Sequence, residues 1–154
     1  MTNDNETLTA TRQDEGEEGH MAGPVEIQLT ANLSKSVITI SGSGDVDIPE
    51  GQQATRFNFT LNDSTGFNVK FASLDAEDNS TACPPPGGQN STQIEGVQTH
   101  NNHAPRRAAF TDKNNNDPKN GELKISYAWN FTCDAGATVE PFDPIISNGG
   151  RTGG

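Results

Sequence analysis

The sequence predicts an all-β fold, a single Greek-key β-sandwich of about seven or eight strands. Three observations carry this. Apolar residues recur with period two in short runs from Val25 onward, and clusters of Gly, Pro, Asn and Asp separate the runs. No stretch of useful length keeps the 3.6-residue period of an amphipathic helix. The chain of 154 residues is long enough for one core and too short for two ordinary ones.

The elements follow in order. Val25, Ile27, Leu29 and Ala31 share one face while Glu26, Gln28, Thr30 and Asn32 share the other, as in a strand with one side buried. A turn at Ser34 and Lys35 leads to a second strand that carries Ile38 and Ile40 inward. The Gly-rich segment 41–45 and Pro49-Glu50-Gly51 break regularity before Phe57, Phe59 and Leu61 mark a third strand. The short polar connection 62–66 then leads to Phe67, Val69 and Phe71, which predicts a hairpin between the two Phe-rich segments. Residues 75–93 hold Asp, Asn, Ser, Pro and Gly and read as a long surface loop. Short strands are expected over 93–97 and 107–110, joined by the polar residues 99–103. The strongest segment is 124–133, where Ile125, Tyr127, Trp129, Phe131 and Cys133 face one way; it predicts the central strand of the core. A last strand is expected over 141–147.

Leu, Ile, Val and Phe together number 27, and with a net charge of −11 this composition borders on that of disordered chains. The poverty is local. Residues 1–23 contain a single member of that set, Leu8, and six acids against Arg12, so they offer no apolar face to offset the entropy of ordering. The organisation expected is therefore a disordered acidic tail over 1–23, a sandwich domain over 24–148 and a flexible tail over 149–154. The first residues have neither the basic start nor the apolar run of a secretory signal, which gives a cytoplasmic expectation. Arg106-Arg107 is the one basic cluster, far short of the footprint that several phosphates require, so neither nucleic acid nor an anionic membrane is an expected partner.

Tyr127-x-Trp129-x-Phe131-x-Cys133, followed by Phe142-Asp143-Pro144-x-Ile146-x-Asn148-Gly149-Gly150, resembles the ending of small uncharacterised bacterial proteins with a cupredoxin-like sandwich. The resemblance covers the last third of the chain and implies a fold only. An Ig-like sandwich has a similar number of strands.

A cupredoxin copper site needs two His, a Cys thiolate and a weak axial ligand, with Cys, His and Met on the loop between the last two strands. Cys133 opens such a loop, but no His follows His103 and the only Met residues are Met1 and Met21. Cys83, His100, His103 and Cys133 supply a two-Cys, two-His set for zinc, without the close C-x-x-C pair of recognisable sites. The same two cysteines, if exported, would close a bridge; in a reducing compartment Cys133 packs as a small apolar residue. The segment 112–117 places Asp112, Asn114, Asn116 and Asp117 as oxygen donors for calcium, although Asp117 stands where the sharp turn wants Gly and Leu123 where a bidentate Glu should close the site. Asp75, Glu77 and Asp78 form a second acidic cluster. Seven N-x-Ser/Thr sequons start at Asn5, Asn32, Asn58, Asn62, Asn79, Asn90 and Asn130, which outward strand faces rich in Asn and Thr also generate.

No nucleophile elbow or phosphate loop is present, and no His lies near a Ser or Cys in a recognisable signature, so an enzyme is not expected. No cofactor is expected either. The sequence leads to a non-enzymatic module that self-associates along an edge strand, or binds a protein partner through the 75–93 and 99–105 loops. The alternative is a metal-binding module built on one of the two ligand sets above.

Overall fold

The computed structural model describes residues 23–152. The expected acidic tail thus lies, save for Gly23, outside the described residues. Ten strands form two sheets: β1 (Val25–Ser34), β2 (Val37–Ser41), β3 (Val46–Ile48), β4 (Thr55–Asp63), β5 (Lys70–Asp78), β6 (Ile94–His100), β7 (Arg106–Asp112), β8 (Leu123–Thr132), β9 (Thr138–Val139) and β10 (Ile145–Asn148). One sheet has six strands in the order β6-β7-β4-β1-β2-β9, the other four in the order β3-β10-β8-β5. The all-β sandwich is as the sequence predicts, with more strands than the seven or eight expected because β3 and β9 are too short to leave a periodic trace. The only helical piece among the described residues is a 3-10 turn over Pro118–Asn120.

Period two places the core. In β1, Ile27, Leu29 and Ala31 are buried, and in β4 Phe57, Phe59 and Leu61 are buried, each set on one face of its strand. From the other sheet β8 contributes Ile125, Tyr127, Trp129 and Phe131. Rings from the two sheets meet edge to face: Phe59 and Trp129 centroids are 5.6 Å apart, Phe110 and Tyr127 5.3 Å. As expected, β8 lies inside its sheet, between β10 and β5. Its second face is covered too, since Ser126 and Ala128 are also buried.

The predicted hairpin between the two Phe-rich segments does not form, because β4 and β5 belong to opposite sheets. Asp63 explains the crossing. Its Oδ1 accepts from the Thr65 amide and hydroxyl, and its Oδ2 accepts from the Val69 amide at 2.9 Å, so residues 64–69 bridge the gap between layers instead of reversing in plane. The turn of β1 into β2 is as expected, with Lys35 at φ 59° in a two-residue loop that pairs Ser34 with Val37.

The outward face of the larger sheet is a hydrogen-bonded polar surface. Asn58 donates to Glu26 at 2.9 Å, Asn62 to Gln28 at 3.2 Å, and Arg56 to Asn58 and Gln98. Residues 149–151 of the expected tail are hydrogen-bonded to the domain: the Gly149 amide donates to Ile48, Gly150 to Asn114 Oδ1 and Arg151 to Asn116. Among the described residues no helix is long and apolar enough to cross a membrane.

Candidate functional site

An open strand edge is a reactive surface, because its unpaired amides and carbonyls accept another strand. Four strands end the two sheets, and three of them are protected. β3 and β9 span only three and two residues. β5 is longer, but the loop that follows folds back on it: the Ala76 amide donates to Gly88 and the Ala76 carbonyl accepts from Asn90. Further along β5, the Asn101 side chain acts as a small strand, accepting from the Phe71 amide at 3.0 Å and donating to the Phe71 carbonyl at 2.8 Å. A register irregularity between Phe71 and Leu74 bends what remains.

Among the described residues the fourth, β6, pairs with β7 alone. Every residue after Ile94 is exposed on both faces, so the strand overhangs the smaller sheet and Val97 is 40% exposed. Gly96, at φ 65°, sits in a bulge where pairing with β7 shifts between Glu95 and Gln98. The sequence predicts a strand here, and the one sign of its edge position is the lack of apolar alternation after Ile94.

The two loops expected to bind partners flank this strand. Part of the expected 75–93 loop is strand, since β5 runs to Asp78. What remains is pinned by the acidic cluster at the end of β5: Asp75 accepts from the Gly88 amide at 2.7 Å, and Asp78 accepts from the Ser91 hydroxyl and from both the amide and hydroxyl of Thr92. On the other side, His100, His103, Pro105 and Arg107 line a shallow cleft of about 390 Å³ where β6 turns into β7.

The two-Cys, two-His set is dispersed. His100 and His103 share that cleft, but Cys83 lies in the exposed loop near Asp143 and Asp45, and burial followed by those two acids pushes its thiol pKa up. Cys133 is half-buried against the core, its thiol 3.3 Å from the Ala137 carbonyl, and both cysteines are free. Among the described residues no three of His, Cys, Asp and Glu converge as metal ligands.

The calcium set divides as well. Asn114, fully buried, donates to the Pro49 and Gln52 carbonyls and accepts from the Gly150 amide, which exhausts its amide on backbone. Asp117 is exposed and caps the 3-10 turn by accepting from Lys119. The two others stay together. Asp112, also fully buried, accepts at Oδ1 from the Asn114 amide at 3.0 Å and from Asn148 Nδ2 at 2.7 Å, and Asn116 donates to the Asn148 carbonyl. Burial pushes the Asp112 carboxyl up to about 6 against these two bonds, with Asp78 adding to the rise. Sequence reading missed Asn148, because it sits on β10 in the other sheet, 36 residues away.

Four of the sequon asparagines are engaged in sheet-surface bonds: Asn32 donates to Ser41, Asn58 to Glu26, Asn62 to Gln28 and Asn130 to Asp75. No protein-family model matches the chain, and no curated protein matches it by sequence.

Proposed function

We propose that the chain is a non-enzymatic β-sandwich module that works by self-assembly, pairing the free edge of β6 with β6 of a second copy. The observation that carries this is the overhang: seven residues of strand with one edge unpaired and six of them exposed on both faces. The strand is self-complementary when antiparallel. A two-fold axis near Val97 brings Glu95 of one copy toward His100 and Arg107 of the other, which lie on the same outward face as Glu95 because of the bulge at Gly96. The polar, acidic remainder of the surface favours one closed contact over open-ended stacking.

Light scattering coupled to size exclusion over a range of protein concentrations tests it. A concentration-dependent dimer is expected, lost in Val97→Lys and retained in Val37→Lys, whose valine is equally exposed at 38% but lies on β2. A wild-type chain that stays monomeric throughout, or a dimer indifferent to Val97→Lys, overturns the reading. The second reading is a metal-binding module, supported by the cleft that both His100 and His103 line.

A further inference from the structure

Where the end of β7 meets the end of β10, the protein interior holds three oxygen atoms without a hydrogen-bond partner among the described residues: Asp112 Oδ2, Asn116 Oδ1 and Asn148 Oδ1. They belong to three residues linked through Asn148. Asn148 bonds Asp112 directly, and Asn116 bonds the Asn148 backbone at 3.3 Å. Asp112 and Asn148 are both 0% exposed.

Such atoms demand a partner. A buried acceptor left unpaired is destabilising, and a buried carboxylate more so unless it is paired or holds a metal. Among the described residues no cationic side chain bonds these three oxygens. The charged group acting on Asp112 is Asp78, another acid, which raises its pKa further. Arg151, three residues beyond Asn148, turns its Nη2 to the Lys113 carbonyl at 3.1 Å, and its buried Nε has no hydrogen-bond partner among the described residues. The donors present are one carboxylate and two amide oxygens, with no sulfur or imidazole, which is the ligand chemistry of a hard cation.

We infer that Asp112, Asn116 and Asn148 form a binding site for a hard cation, which clamps the two sheets together at this end of the sandwich. This set differs from the linear motif read in the sequence. It keeps Asp112 and Asn116, loses Asn114 and Asp117 to backbone contacts and capping, and gains Asn148 from the opposite sheet. The site is independent of the β6 edge. Cation size selects among candidates: calcium accepts six to eight oxygens in flexible geometry, whereas magnesium demands a near-ideal octahedron that two amides and one carboxylate fixed by other bonds do not offer.

The test is thermal unfolding of chelator-treated protein at neutral pH in a buffer whose only cation is organic, with calcium, magnesium, sodium or potassium added singly to millimolar levels. Saturating calcium or sodium is expected to raise the melting temperature by about 5 °C, with magnesium giving less than half of that. The response is expected to disappear in Asp112→Asn and to persist in Asp117→Asn. Should Asp112→Asn fail to fold, Asn116→Ala serves, since Asn116 is only partly buried; its half-saturating concentration is expected to rise at least about tenfold. Native mass spectrometry is expected to show one metal ion per chain in the wild type. No response to any of the four cations means that the orphan oxygens are met by a shared proton or by water, and overturns the inference. A response that Asp112→Asn and Asn116→Ala leave intact overturns it as well.

Discussion

Trp129 stands with its ring edge-on to Phe59 at 5.6 Å and to Phe71 at 5.3 Å, one ring from each sheet. It is fully buried, so truncating it opens a cavity as well as removing contacts. Trp129→Ala is expected to cost about 3–5 kcal/mol, read as a lowered urea midpoint. The indole Nε1 has no hydrogen-bond partner among the described residues. Trp129→Phe is therefore expected to cost well under half as much, because the lost volume is offset by removing an unpaired buried donor. A Phe variant as unstable as the Ala variant would mean that the N–H has a partner after all. The importance of Trp129 was legible from its parity with Ile125, Tyr127 and Phe131. Its orphan donor was not, since hydrogen-bond partners come from distant segments.

Junctions between elements hold the next layer of information. Gly149 follows β10 and lies against the turn at Pro49-Glu50; a Cβ there would stand 2.3 Å from the Glu50 amide nitrogen. That atom is backbone pinned by neighbouring bonds, Gly51 to Gly150 and Gln52 to Pro49, so it cannot swing aside as a flexible side chain would. Gly149→Ala is expected to destabilise by about 1–3 kcal/mol, measurable by chemical denaturation, whereas Gly23→Ala, with nothing near its Cβ, is expected to leave stability unchanged. The edge strands show the same dependence on partners. β5 and β6 carry comparably polar sequences, yet β5 is capped by Asn101 and by residues 88–90, and β6 is left open.

For the molecule as a whole, two aspartates that link the sheets act on stability with opposite signs. Asp63 holds the crossing from one layer to the other. Burial opposes its ionisation, but the bonds from Thr65 and Val69, with help from Arg106, outweigh that and lower its pKa. Its contribution is present above the ordinary carboxylate value and is lost as pH falls through the lower folded value. Asp112 binds its proton more tightly folded than unfolded, so stability falls as pH rises from the ordinary 3.8 through about 6. The loss at completion is about 3 kcal/mol. In metal-stripped protein the urea midpoint is expected to be lower at about pH 7 than at about pH 5, and Asp112→Asn is expected to flatten that difference. An unchanged slope in the variant would assign it to the chain's net charge instead. What the sequence alone determined is the part of the fold written in local periodicity: most of the longer strands, their buried faces in β1, β4 and β8, and the β1–β2 turn. Alternation with period two fixes which side of a strand faces apolar surroundings, and that needs no knowledge of the partner. Only the tertiary structure decided that β4 and β5 part into different sheets, that β6 is the open edge, and that the side chain of Asn148 rather than that of Asn114 bonds Asp112. Each of these depends on contacts between segments far apart in the chain, where backbone hydrogen bonds and burial choose among arrangements that the local pattern leaves equivalent.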